Sequence, residues 1–232
     1  MLAAAAACKV STDLSRNIAI EVVARDSLEE LDTLRPRAHV ITGHGDSAAT
    51  PVFWFSPDSA IRVLDSTTGT TVVAHTGGTG RLVARGGGLV SNPVQIRTLA
   101  AADTLSAAGV TADTVPAGDS LSDSLKVALA DTIESSTGAD SLTVPLAGRP
   151  VVYVITYPTT AGPVTLVTSD TARGLVTADT VATASPGIAS VKVRLLGPAP
   201  PPDSVVVVAS ARRAVGTPVP GSPVTFTVRF TP

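Results

Sequence analysis

The 232-residue chain has one cysteine, three histidines, one tryptophan and an aromatic content of only 3%. A single cysteine excludes an intrachain disulfide and any multi-cysteine metal site, and three histidines leave a small stock of soft ligands. Charged residues make up 16% of the chain, 17 basic against 19 acidic, for a formal net charge of -2. With no basic run and few aromatics, it lacks the electrostatic footprint and the stacking platforms on which nucleic-acid binding depends. Nucleic acid is therefore not expected among its partners. Nor does any stretch approach the ~18 apolar residues of a membrane-spanning helix. What the chain does have is 44% hydrophobic residues and a mean hydropathy of +0.35, which suffice for a real core and exclude a wholly unstructured chain. Its length suits two domains of roughly 100 residues each.

The informative pattern is apolar alternation with period two. Val224, Phe226, Val228 and Phe230 fall on one face while Thr225, Thr227, Arg229 and Thr231 fall on the other, the signature of a half-buried strand. Val191, Val193 and Leu195 alternate with Lys192 and Arg194, and Val151, Tyr153, Ile155 and Tyr157 share a face before Pro158. Further short strands are predicted at 18–23, 38–41, 52–55, 61–64, 71–75, 81–84, 94–98, 125–129, 164–168, 174–176 and 205–209, with turns rich in Gly, Pro, Asp and Ser between them. Many short strands and no long helical pattern predict an all-β fold of antiparallel sandwiches rather than a βαβ fold. One helical turn is predicted, at 27–31, opening on the capping residue Ser27 and stopped by Pro36.

The first residues run through small apolar side chains, Ala3 to Ala7, straight into Cys8 and Lys9. This segment resembles the cleavage end of a bacterial lipoprotein signal, and the resemblance implies that Cys8 takes a lipid and becomes the N-terminus of the mature protein. The signal is truncated, because no basic residue precedes Cys8 and the apolar stretch is short. Either the start lies upstream of Met1, or the segment is an alanine-rich tail and Cys8 an ordinary exposed thiol.

Val52-Phe53-Trp54-Phe55-Ser56-Pro57-Asp58-Ser59-Ala60-Ile61-Arg62-Val63-Leu64-Asp65 places apolar residues around a tryptophan, then a Ser/Asp turn and a short strand ending in Asp. The glycine turn at Gly69, the strand at 71–75, the second glycine turn at 77–80 and a strand of small residues at 81–84 follow. This order of blocks resembles bacterial immunoglobulin-like domains of group 2 over about 16–99. The resemblance implies a small Ig-like sandwich in which Trp54 is a core anchor. The longer acidic first turn at 27–35 and the slack loop Gly86-Gly87-Gly88 depart from that pattern. The second half offers about seven strands in a similar order and resembles a second, divergent Ig-like domain. The expected organisation is thus a residual anchor segment at 1–15, Ig-like domain 1 at 16–99, a linker of Ala, Asp, Thr and Gly at 100–118, and Ig-like domain 2 at 119–232. Ala-Asp-Thr recurs from 102, 112, 130 and 178 without a fixed period, so it is no solenoid repeat.

Gly118-Asp119-Ser120-Leu121-Ser122 resembles the nucleophile block of the GDSL hydrolases, a family in which the serine attacks and a downstream Asp-x-x-His supplies the base. His39, His44 and His75 all precede Ser120, so that base is absent, and a serine hydroxyl without a base is a weak nucleophile. The expectation is no catalytic residue, with a GDSL-type ester hydrolase using Ser120 as the alternative. His44 with His39 or Asp46 could meet at a metal, but a strand histidine and a turn histidine read better as solvent-exposed. Asp103, Asp113, Asp119, Asp123 and Asp131 could ligate Ca²⁺ in a stiffened adhesin, yet they lack Asp-x-Asp-x-Asp-Gly spacing and read as turn residues. The glycine loops at 77–80 and 86–88 are followed by strands and not by the helix N-terminus that phosphate sites use. Pro198 to Pro202 fits a PxxP ligand formally and stiffens a connection more simply. No metal and no cofactor are expected. The expected function is a non-catalytic, extracytoplasmic, lipid-anchored Ig-like module of the cell envelope, structural or adhesive, with a cell-surface polysaccharide or protein as partner.

Overall fold

The computed structural model describes residues 13–134, 141–159, 162–168, 176–197 and 202–231. Every helix or strand among them is a β-strand, and the chain divides into two compact units, Met1–Leu99 and Ala100–Pro232. The first unit holds β1 (Asn17–Val23), β2 (Ser27–Glu29), β3 (Arg37–Thr42), β4 (Ser47–Ala48), β5 (Phe53–Phe55), β6 (Ile61–Asp65), β7 (Thr70–Val73), β8 (Thr79–Gly86), β9 (Leu89–Val90) and β10 (Val94–Leu99). The second holds β11 (Thr104–Ala107), β12 (Ala112–Val115), β13 (Leu125–Glu134), β14 (Ser141–Pro145), β15 (Pro150–Tyr157), β16 (Val164–Val167), β17 (Ala178–Ala182), β18 (Ile188–Leu195), β19 (Val205–Ala211) and β20 (Val224–Phe230).

Both units follow one plan. In the first, β1 lies antiparallel to β3, and the line of β3 is joined to the β6-β7 hairpin through reciprocal backbone hydrogen bonds between Leu34 and Thr71 of 2.8 and 2.9 Å. The chain then changes sheets after β1, so that β2 runs parallel to the last strand in the order β2-β10-β8-β5. In the second, one sheet has the order β11-β13-β18-β16 and the other β12-β20-β19-β15-β17, again with the first strand split and β12 parallel to the last strand, β20. These are the A-B-E-D and G-F-C arrangements of the immunoglobulin sandwich, with the second half of strand A beside strand G. The protein is thus all-β, with two Ig-like antiparallel sandwiches in tandem.

Alternation along the strands fills each core. Leu28, Leu34, Trp54, Ile61, Leu82 and Ile96 pack in the first unit. In the second, Leu125, Val127, Tyr153, Val191, Val207 and Phe226 are among the residues that close the space between the sheets. Tyr153 is fully buried on β15, and its hydroxyl donates across to the Ala189 carbonyl of β18 at 2.8 Å. Burial pushes the phenol pKa up, so it stays a neutral donor.

Two expectations fail here. Residues 27–31 do not form a helical turn, because Leu28 is drawn into the core, Ser27 and Glu29 pair with Arg97 and Leu99, and the Glu30 amide donates to the Leu99 carbonyl at 2.9 Å. Leu31 then takes a left-handed φ of 68°, which a continuing helix forbids. Nor are residues 100–118 a linker, since they form β11 and β12 and bury Leu105 and Val115 in the second core. The sequence pattern predicts no strand at β4, β9, β14 or β17, and most of the strand expected at 174–176 lies outside the described residues.

Trp54→Ala is expected to destabilise the first unit by about 3–5 kcal/mol. Tyr153→Phe, which leaves the buried Ala189 carbonyl short of its partner, should cost the second unit about 1–3 kcal/mol. Urea unfolding followed separately in each unit checks both.

Candidate functional site

The three residues of β5 fix the most distinctive surface of the first unit. Period two sends Trp54 inward, only 5% exposed, and so turns Phe53 and Phe55 outward at 50% and 37% exposure. The inward position is itself constrained. The Trp54 amide donates to the Ser66 carbonyl at 2.7 Å, and the indole lies against Gly69, where a Cβ would fall 2.8 Å from Cδ1. Gly69 has a φ of 70° and closes a turn that Asp65 organises, its carboxylate accepting from the Thr67 amide at 2.8 Å, the Thr67 hydroxyl at 2.7 Å and the Thr68 hydroxyl at 3.0 Å. Those bonds, led by the Thr67 hydroxyl, hold the Asp65 carboxyl down at about 2.

Phe53 stands opposite Arg85 and Phe55 opposite Val83 on β8. The Arg85 guanidinium lies over the Phe55 ring, 5.4 Å from its centroid. An open groove of about 510 Å³ runs beside Phe53, bounded by Pro51, Arg85, Val90 and the backbone of 86–88. That glycine run is a tight hairpin, with Gly87 and Gly88 at φ 57° and 81° and Gly86 paired with Leu89, as a two-residue turn between strands requires. Gly88 carries no side chain into the open space around it. A second groove of about 480 Å³ lies on the other side of Phe55, lined by Asp58, Ser59 and Arg62 among others. Asp58 binds Arg81 through bonds of 2.8 and 2.9 Å, and this contact draws its carboxyl below the usual range. The signal for this surface was present in Phe53-Trp54-Phe55: once tryptophan faces the core, both phenylalanines must face solvent.

The residues singled out for chemistry do other work. Ser120 is exposed, and its carbonyl accepts the Leu195 amide at 2.8 Å. Ser122 is buried, its hydroxyl donating to the Asp123 carbonyl and accepting the Val193 amide, each at 2.8 Å. The GDSL-like block is therefore an edge segment laid against β18. His39 pairs across the strands with Glu21 at 2.9 Å, and His44 is exposed in the turn closed by Gly45. Asp103 binds Arg213 at 2.7 Å and Asp113 accepts the Asp123 amide at 2.9 Å. Among the described residues no three His, Cys, Asp or Glu side chains gather to hold a metal. Cys8 and Pro198 to Pro201 lie outside the described residues.

No family model matches the chain, and no curated protein matches it. Among solved structures it is similar to domains 4 and 5 of the S-layer protein SbsC, at 13% identity over 94% of this chain and 100% of that one, with a TM-score of 0.32. It is also similar to the fibronectin(III)-like modules of Clostridium thermocellum CbhA (11% identity, 91% and 94% coverage, TM-score 0.37) and to the D00-D0 domain of intimin (16% identity, 89% and 98% coverage, TM-score 0.27). At such scores the assignment of fold rests on the strand order itself.

The Asp65 turn gives an acid signature. A carboxyl held at about 2 instead of its ordinary 3.8 contributes stability above roughly pH 4 and loses it as the pH falls towards 2. The urea midpoint of the first unit should therefore fall more steeply between about pH 4 and 2 in the wild type than in Asp65→Asn, which has no group to protonate there.

Proposed function

We propose that this chain is a non-catalytic module of the cell envelope, two Ig-like sandwiches tethered through a lipid on Cys8, serving as a structural and surface-binding element. Its partner is a cell-surface polysaccharide or protein. The observation that carries this reading is the use of the GDSL-like block in the scaffold: the Ser120 carbonyl and the Ser122 hydroxyl both accept backbone amides of β18, from Leu195 and Val193. All three histidines precede the block, so the downstream histidine base of the hydrolases it resembles has no counterpart in this sequence. The repeated sandwich plan supports the same reading, since two rigid units joined in sequence suit spacing a contact surface away from an anchoring membrane.

Two experiments test this. Expressed from its native locus, the protein should fractionate with membranes and have the mass of a chain beginning at a lipidated Cys8, and Cys8→Ser should release it. A soluble chain beginning at Met1 would remove the anchor. Purified protein should leave a fluorophosphonate probe unreacted and should not hydrolyse short-chain esters, with Ser120→Ala indistinguishable from wild type. Labelling that depends on Ser120 would overturn the non-catalytic reading.

A further inference from the structure

The outward faces of the two G-F-C sheets are built on the same plan and differ in chemistry. On strand C each unit buries one aromatic ring, Trp54 on β5 and Tyr153 on β15. The residues flanking that ring face outward, and they are Phe53 and Phe55 in the first unit but Val152 and Val154 in the second. On strand F, the outward positions of β8 carry Arg81, Val83 and Arg85, whereas those of β19 carry Val206, Val208 and Ser210. The fold therefore tolerates small aliphatic residues here. The rings and guanidinium groups of the first unit are not demanded by the sandwich.

In the first unit, β5, β8, β9 and β10 together contain three arginines, Arg81, Arg85 and Arg97, and no acidic residue, and the one carboxylate on the remaining strand of the sheet, Glu29 on the far-edge strand β2, is fully buried. Asp58 neutralises Arg81. Arg85 meets only the Phe55 ring face among the contacts described, and the half-exposed Phe53 stands directly opposite it beside the groove. An aromatic face next to an uncompensated guanidinium fits a ligand that presents an apolar face and a carboxylate in the same repeat. A uronic acid does so: its pyranose C–H face covers a ring while its carboxylate accepts two N–H bonds from the arginine fork. An acidic peptide fits less well. Its usual way of binding a sheet is to add a strand at the edge, and the outer edge of β5 is already engaged by the bond from the Trp54 amide to Ser66.

We propose that the outer face of the first unit, centred on Phe53, Phe55 and Arg85, binds an acidic polysaccharide built of uronic acid residues. This rests on the surface-module reading above and names the site and the class of partner.

The test is affinity electrophoresis of the full chain at low salt, where exposed charges are least screened. The gels contain polygalacturonate, its fully methyl-esterified form or poly-L-glutamate. Polygalacturonate should retard the protein, the neutral ester should do so at least about fivefold more weakly, and Phe53→Leu and Arg85→Gln should each weaken retardation by about fivefold or more. Arg229→Gln, on the second unit, should leave it unchanged. Phe53→Leu keeps an apolar side chain at the site, and an unchanged urea midpoint for each variant shows that the fold is intact. The proposal is overturned if polygalacturonate causes no retardation, if poly-L-glutamate retards the protein equally, or if neither first-unit variant alters binding. Absence of binding by a protein that still fractionates with membranes would sink this site alone. Release from the membrane fraction with binding retained would sink the anchor alone.

Discussion

Each sandwich is held closed by a first strand that is split between its two sheets. In the first unit β1 bonds to β3 and then β2 lies beside β10, and in the second β11 bonds to β13 and then β12 lies beside β20. The parallel halves are short, pairing 27–29 with 97–99 and 112–115 with 227–230. They nevertheless join the beginning of each unit to its end, and they cover an edge of strand G that would otherwise offer open backbone groups to another chain. Pairing of such sequence separation has to overcome a large loop-closure entropy. The reward is the buried core that each split strand helps to seal, with Leu28 in one unit and Val115 in the other.

That closure explains where the distinctive surface lies. Once β2, β10, β8 and β5 are assembled in that order, β5 stands at the far edge and its middle residue must fill the core. Trp54 does so because Gly69 leaves room for the indole and the Asp65 turn holds Gly69 in place. Phe53 and Phe55 are outward as a geometric consequence of the same pleat. Their identity is another matter, since β15 solves the same packing problem with valines on either side of Tyr153.

The sequence made much of this architecture legible, and the exceptions share a cause. Strands with several inward apolar residues, such as β18, β19 and β20, show in the alternation of the chain. Strands β11 and β12 each bury one large side chain among Ala, Ser, Thr and Asp, too little contrast to separate them from a linker. At 27–31 the local pattern of Ser-Leu-Glu-Glu-Leu favours a helix, and the parallel ladder of 27–29 to β10 together with the burial of Leu28 outweighs that preference. The outward pair of phenylalanines was also readable, but only after deciding which residue of Phe-Trp-Phe the core takes.

The same reasoning separates what the fold requires from what it merely carries. Buried rings on strand C, glycines at positive φ and the split first strand recur in both units, and each has a packing or backbone reason. The GDSL-like block falls in this class, because its serines complete the ladder of β18 and would be placed there whether or not any chemistry followed. Phe53, Phe55 and Arg85 fall outside it. They expose apolar and charged surface where the sister unit shows that valine and serine suffice. Surface chemistry that the scaffold does not need is where binding has room to specialise, and Phe53, Phe55 and Arg85 bring such chemistry together on one face of one sheet.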